Sequence, residues 1–361
     1  MEQENNIMGM LELILRPAFC VQNGSIVHAN HQAQSYGVTP GTPIAELLVT
    51  GASEYAALNS GCLYLTVRID GSQFGASVTQ VDGFDIFVLE PGDAQPELQA
   101  LALAARELRE PLSNIMVAAD RLLPTLDAVD EAAQKQAASI NRSLHHMLRL
   151  IGNMSDGARY TEDSISRMEF QDIRLLMAEL FKKAASLVED AGVTLEFSNY
   201  PDPIRSMVDA EKLERAVYNL ISNAVKFTPK GGRIQATLTR HGGIACLTVA
   251  DNGSGIPQDK LSSLYARYLR PSCVEDSRHG IGLGMVMVRS AATAHGGTVL
   301  IEQPSTGGTK VTLTIGIRPN KGGNFRSPSG LKVDYAGERD HGLIELSDLL
   351  PASSFQSNKI N

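Results

Sequence analysis

Three short stretches of this chain carry side chains that could together handle a nucleoside triphosphate. The first is N-L-I-S-N-A-V-K-F-T-P (residues 219–229), in which Asn219, Asn223 and Lys226 recur every three or four residues. That spacing gathers two amides and an ammonium on one face of a helix. Leu213, Val217, Leu220 and Ala224 repeat in the same steps and form a stripe that must be buried. The second stretch, Asp251-Asn252-Gly253-Ser254-Gly255, follows the β-type run 244–249 directly. The third, Gly280-Ile281-Gly282-Leu283-Gly284, leads into a helical run ending near Ala294. Glycines let backbone N–H groups approach an anion closely, and a helix start adds its positive dipole end. An asparagine carbonyl can ligate Mg²⁺, and a lysine can meet a phosphate as a point charge. An acidic side chain can accept from an exocyclic amine. Each glycine turn alone is a weak signal; the ordered set is specific.

The set resembles the ATP-binding domain of sensor histidine kinases, within the ATPase superfamily shared with gyrase, Hsp90 and MutL. Residues 219–229 resemble its N-box. D-N-G-S-G-I-P (251–257) resembles the first glycine box, L-Y-A-R-Y-L-R (264–270) the aromatic box, and G-I-G-L-G-M (280–285) the second glycine box. The resemblance implies ATP and Mg²⁺ as cofactors. By it, Asn223 holds the metal, and Asn219 and Lys226 lie near the phosphates. Asp251 reads adenine, Thr309 in G-G-T-K-V-T-L lies nearby, and Gly253, Gly255, Gly280, Gly282, Leu283 and Gly284 line the nucleotide. Residues 257–279 become a lid, with Arg267, Arg270 and Arg278 available for phosphates.

A second resemblance sits upstream, in A-R-E-L-R-E-P-L-S-N-I (105–115). It is similar to the family's H-box, His-Glu-Leu-Arg-Thr-Pro-Leu, with Glu107, Leu108, Arg109, Pro111 and Leu112 matching. Arg106 stands where the phosphoacceptor histidine belongs, and Glu110 where a neutral Thr or Asn belongs. A guanidinium stays protonated and has no lone pair to offer phosphorus. Glu107, the general base by resemblance, has no imidazole proton to take. Autophosphorylation at this position is therefore not expected. Three readings follow: an ATP-binding pseudokinase scaffold or heterodimer partner, a kinase for a residue of a partner protein, and a non-signalling ATPase. The H-box remnant argues against the last. His145 and His146 are the other candidate acceptors, one of them at least expected on an exposed face. His295 reads as structural.

The elements that must position these residues suggest an α+β multidomain chain of 361 residues. Residues 1–92 read as a PAS-like sensor: a helix over 8–15, two strands joined at Asn23-Gly24, a short helix at 44–48, then strands at 62–69, 73–79 and 84–89 with Asp70-Gly71 and Asp82-Gly83 as turns. Such a unit binds a small ligand or serves as a dimer interface. Residues 93–160 alternate apolar positions in steps of three and four on either side of a turn from Pro124 to Asp130. The first seam runs through Leu98, Leu101, Ala105, Leu108, Leu112, Ile115, Ala119 and Leu122, the second through Ala133, Ala137, Ile140, Leu144, Met147, Ile151 and Met154. One antiparallel hairpin cannot bury both seams, so a four-helix dimer bundle is expected. Residues 161–319 read as the catalytic α/β sandwich, with helices over one face of a mixed sheet. Residues 320–361 read as a Gly/Ser/Asn-rich linker and a tail that is either a docking segment, on this chain or a partner, or unstructured.

A formal net charge of -8 argues against a nucleic-acid groove. Cys20, Cys62, Cys246 and Cys273 show no C-x-x-C pairing and read as reduced thiols. No apolar run reaches the ~18–20 residues a membrane helix needs, and M-E-Q-E-N-N is acidic where a signal peptide is basic. A cytoplasmic protein without membrane insertion is expected. A homodimer or a heterodimer with a related kinase is the expected assembly, with a response regulator as possible partner.

Overall fold

The structure is a computed structural model that describes residues 2–90, 96–127, 130–159, 167–256, 284–319 and 340–356. It opens with helix α1 (Glu2–Glu12), strands β1 (Ala18–Gln22) and β2 (Ser25–Ala29), and short helices α2 (His31–Ser35), α3 (Ile44–Leu47) and α4 (Ala52–Ala56). Strands β3 (Cys62–Ile69), β4 (Ser72–Val81) and β5 (Phe84–Glu90) follow. All three anticipated hairpin turns form. Asn23-Gly24, Asp70-Gly71 and Asp82-Gly83 each have positive φ at both residues, the backbone that a two-residue turn between twisted strands requires. The first helix lies earlier than the 8–15 expected. Ile7 and Leu11 pack on Cys20, Phe84 and Ile86, whereas Leu13 and Leu15, 81% and 89% exposed, lie beyond its end. Helices α2 and α4 were not anticipated. The first depends on a cap, the Asn30 side chain accepting from Ala33 N at 2.9 Å, more than on any periodicity.

Helices α5 (Pro96–Asp127) and α6 (Glu131–Arg159) run antiparallel, with Arg109 Nη2 3.4 Å from Ser155 Oγ. The expected turn at Pro124 is corrected. The helix carries Pro124 within it and continues to Asp127, because Leu123 and Leu126 still pack in the hairpin core. Ala105, Leu112, Met116 and Ala119 of α5 pack against Ala137, Leu144, Leu148 and Ile151 of α6. Part of each expected seam stays outside. Leu108, Ile115 and Leu122 are 49%, 54% and 58% exposed, and Ile140 and Met147 45% and 39%. One antiparallel partner covers only one side of each helix.

The remaining chain forms β6 (Glu169–Asp172), α7 (Ile173–Asp190), β7 (Thr194–Ser198), β8 (Arg205–Val208), α8 (Ala210–Phe227), β9 (Arg233–His241), β10 (Ile244–Asp251), α9 (Gly284–Ala294), β11 (Val299–Glu302), β12 (Lys310–Gly316) and α10 (His341–Glu345). The mixed sheet is as expected: β7 runs parallel to β9, and β9, β10, β12 and β11 pair antiparallel. Helices α7, α8 and α9 share its core. The small β6–β8 pair, four residues a side, carries too short a pattern to have been seen in the sequence.

The two sheets are one. Strand β11 pairs with β3 in the register Val299↔Tyr64, Leu300↔Leu63 and Ile301↔Cys62, giving the continuous order β2-β1-β5-β4-β3-β11-β12-β10-β9-β7. Sequence periodicity does not report which edges meet. So short a ladder contributes only a few kcal/mol, at about 0.5–1.5 per hydrogen bond. Side chains reinforce it: Arg289 of α9 pairs with Glu90 and lies 4.9 Å over the Tyr64 ring. Gly61 sets the approach. It has φ +97°, and a Cβ there would overlap the Ile301 carbonyl. Gly61→Ala is expected to cost about 1–2 kcal/mol in backbone strain alone. It should open the junction, read as faster hydrogen exchange at 62–64 and 299–301 with β9–β10 unchanged. Unaltered exchange at those six residues would refute the junction.

Among the described residues no helix is long and apolar enough to cross a membrane, and no group of three or more His, Cys, Asp or Glu could hold a metal ion.

Candidate nucleotide site

Helix α8 is fixed at both ends. Asp209 caps its start, accepting from Lys212 N at 3.1 Å, while its own N–H donates to His295 Nε2 at 2.9 Å. His295 Nδ1 lies 2.7 Å from the Ala291 carbonyl and so carries the proton. Burial pushes its pKa down, consistent with a neutral ring that ties α9 to α8. The structural role expected of His295 is what its bonds describe. The helix stops at Phe227 because Thr228 precedes Pro229 and takes an extended backbone, φ -87° and ψ 129°. Leu213, Val217, Leu220 and Ala224 are buried, as their spacing requires.

On the other face, Asn219 is buried, donating from Nδ2 to the Arg215 carbonyl at 2.8 Å and to Met287 Sδ at 3.3 Å. Asn223 is half-buried, its Nδ2 3.7 Å from Met285 Sδ. Lys226, half-buried too, lies one turn further. Gly284 begins α9 so close to Asn219 that a Cβ would stand 2.6 Å from its Oδ1. The N-box-like helix and the end of the second glycine run are therefore in contact. The two methionine sulfurs were missed, because a thioether signals nothing in sequence until a donor is placed beside it.

Asp251 ends β10 and organises the other side. Its Oδ1 accepts from Gly253 N at 2.9 Å and from Thr309 N at 3.2 Å. Burial raises its pKa; the two N–H groups oppose that without cancelling it. Glycine is required around it. A Cβ on Gly253 would overlap the Phe227 carbonyl, and one on Gly308, at φ +79°, would overlap the Asp251 carbonyl. Gly255, also left-handed at φ +71°, packs beside Gln303 and Gly308. Asp251, Gly253, Gly255 and Thr309 thus meet at one turn, beside the end of α8. Gly280, Gly282, Leu283 and the segment 257–279, with its three arginines, lie outside the described residues.

Residues 208–319 match the family model of histidine kinase-, DNA gyrase B- and HSP90-like ATPases. The match covers that segment and not the rest of the chain. The ATPase-like segment and its surroundings are similar to curated histidine kinases. Hybrid signal transduction histidine kinase D of Dictyostelium discoideum is 30% identical over 234 residues, 62% of this chain and 15% of that protein. Histidine protein kinase DivJ of Caulobacter vibrioides is 31% identical over 222 residues, 60% of this chain and 37% of that protein. The chain thus spans less than half the length of either. Among solved structures, full-length ShkA in complex with AMPPNP is 22% identical over 62% of this chain and 46% of that one, with a TM-score of 0.49.

The donors present in the ATPase domain fit a magnesium nucleotide. A half-buried carboxylate is held at a glycine turn, an amide and an ammonium share one helix face, and close-approach glycines keep the cradle open. Arg106, Glu107 and Glu110 are all exposed on α5, one of them next to the buried Ala105. His145 and His146 correct an expectation. Neither is freely exposed. His145 is fully buried, its Nδ1 2.8 Å from the Asn141 carbonyl and its ring 5.2 Å from that of Phe355. His146 is half-buried, and burial pushes its pKa down, with Arg149, Arg142 and Lys226 adding to the effect against Asp348.

Proposed function

We propose that this chain is an ATP- and Mg²⁺-binding signalling protein of the sensor histidine-kinase type that does not phosphorylate itself at its H-box-like segment. The observation that carries the first half is Asp251, held by Gly253 and Thr309 with its second oxygen left for a ligand amine. In this reading Asn223 holds the metal, Asn219 and Lys226 face the phosphates, and Gly280, Gly282, Leu283 and Gly284 close around them. Bound Mg²⁺ supplies charge neutralisation between phosphate oxygens. The second half rests on Arg106, whose guanidinium cannot act as a nucleophile toward phosphorus. Glu107 then has no acceptor proton to remove.

The domain reading is a PAS-like sensor over 1–92, a dimerising hairpin over 93–160, a catalytic domain over 161–319, and a linker and tail over 320–361, in the cytoplasm. The consecutive strand order β2-β1-β5-β4-β3, with its own apolar cluster, supports a sensor unit joined edge to edge to the next domain through β3 and β11. The exposed apolar row Leu108, Ile115 and Leu122, at seven-residue spacing, supports a homodimer, or a heterodimer with a related kinase, through a four-helix bundle. Replacing Ile115 and Leu122 together by Glu places four carboxylates in each dimer core. The expected result is a monomer by light scattering at micromolar concentration; a dimer that persists would sink the bundle.

The test of function is incubation with Mg²⁺ and γ-labelled ATP beside calorimetric binding. Binding without label on the protein is expected, and loss of binding in Asn223→Ala. Absence of nucleotide binding in the parent chain would overturn the proposal. A second reading, a kinase acting on a residue of a partner or through a response regulator, predicts label on a histidine-bearing partner that Asn223→Ala removes.

A further inference from the structure

The segment 340–356 is the feature that the nucleotide reading leaves unexplained. It lies between the hairpin and the ATPase domain and belongs to both cores: Leu343 packs in the core of the domain, and its neighbour Ile344 in that of the hairpin. Leu346, Leu350 and Phe355 are each 0–1% exposed. Toward α6, Asn141 Nδ2 donates to the Phe355 carbonyl at 3.1 Å, and Arg142 donates to the Ser347 and Asp348 carbonyls at 3.2 and 3.1 Å. Arg149 pairs with Asp348 and, at 3.6 Å, with Glu345. Toward the domain, Ser354 Oγ donates to Asp190 Oδ2 at 2.6 Å, and His341 stands 3.1 Å from Glu214 of α8 and 3.4 Å from Glu345.

The same contacts fix where the domain sits. Arg149 Nη2 donates to Ser222 Oγ at 2.9 Å, so α8 lies along α6, with Lys226 one turn beyond and within electrostatic reach of His146. Arg109 meets Ser155, so position 106, about one turn nearer the start of α5, lies level with the last turn of α6. From Ser155 back to His146 is about 14 Å along the helix at 1.5 Å per residue. The lysine end of the site thus lies toward His146, back along α6 from the level of Ser155.

We propose that residues 340–356 are an intramolecular strap that holds the ATPase domain at one fixed position on α6, with the phosphate end of its site away from position 106. The role given to Lys226 rests on the nucleotide reading above; the strap itself rests on the contacts. His341 is the charged centre, facing Glu214 and Tyr218 of α8, Asp340 and Glu345 of the strap, with Arg149 and Arg215 at the rim. Burial alone would lower its pKa, but hydrogen bonds and charge from Glu214 and Glu345 outweigh it and push it up to about 9. A raised folded-state pKa stabilises fully below the unfolded value near 6.5, and that contribution fades as pH rises toward about 9. The strap is set at neutral pH and loosens in alkali.

The test uses the full chain with donor and acceptor fluorophores on non-natural residues at the exposed positions 106 and 235. One narrow distance is expected in the parent. Phe355→Ala combined with His341→Ala should convert it to a broad distribution reaching shorter distances, and a peptide of residues 340–356 should restore the narrow one. An unchanged narrow distance in the variant would overturn the strap. So would strap-to-α6 transfer between separately labelled copies, since the contact would then join two chains. Nucleotide binding, measured on the same samples, separates the two proposals: its absence with a responsive distance removes the ATP reading and leaves the strap.

Discussion

Asp251→Ala is expected to weaken ATP binding at least a hundredfold while leaving the chain folded. The carboxylate serves two masters. Inward, Oδ1 accepts from the N–H groups of Gly253 and Thr309; removing it leaves two half-buried donors to find water, a loss of about 1–3 kcal/mol in stability. Outward, the remaining oxygen is the acceptor proposed for the adenine amine, and a hydrogen bond to a charged group contributes about 1.5–3 kcal/mol. A distorted turn adds to that, so a loss near 3 kcal/mol, or over a hundredfold, follows. Asp251→Asn separates the two roles. Its amide oxygen can still accept from both N–H groups, so stability should return, but its NH₂ would face the adenine NH₂ donor to donor. Affinity should not return. Calorimetry of both variants reads this directly, and an Asn variant that binds ATP like the parent would remove Asp251 from base recognition. Because burial raises the carboxylate's pKa, binding should also fade on acidification at a higher pH than an exposed carboxylate would give.

Much of this site was legible because its chemistry and its periodicity coincide. Asn219, Asn223 and Lys226 fall on a different face from Leu213, Val217 and Leu220, so the pattern that predicts the buried stripe also places the polar one. Asp251 was legible because a strand ending in Asp and a glycine turn has few uses. Contacts between distant segments were not. Nothing local to Cys62 or Ile301 says that their strands pair, and Gly61 is one glycine among 32 until its φ is known. The tail was read as docking here, docking elsewhere or unstructured. Its apolar residues alone could not decide, because what fixes it are Asn141, Arg142 and Arg149, polar residues about two hundred positions away. The same contacts explain the error over His145: heptad position predicts exposure only while nothing else covers the helix. Pro124 shows the converse, a strong local breaker overridden by Leu123 and Leu126 continuing the core beyond it.

Arg106→His, in a chain whose strap is released by Phe355→Ala and His341→Ala, is expected to change the protein from unlabelled to labelled by γ-labelled ATP. Arg106 is exposed and lies next to the buried Ala105 on α5, so the substitution should shift stability by no more than about 0.5 kcal/mol. An exposed histidine of pKa about 6.5 is mostly neutral at pH 7.5 and presents the lone pair that guanidinium lacks. Glu107, adjacent and exposed, regains a proton to accept. The imidazole nitrogen would form the bond to phosphorus as the bond to the ADP oxygen breaks, with the imidazole proton passing to the Glu107 carboxylate. The label should be acid-labile and alkali-stable, as a phosphoramidate is, and absent from the Arg106→His, Asn223→Ala double variant. Glu110 sets a further signature. With an anion where a neutral group would orient water, the phosphorylated variant should hold its label, and Glu110→Thr should shorten its lifetime. If Arg106→His binds ATP with parental affinity yet takes no label even with the strap released by Phe355→Ala and His341→Ala, the block lies elsewhere than in residue 106. The chain would then be a nucleotide-binding scaffold by more than one lesion.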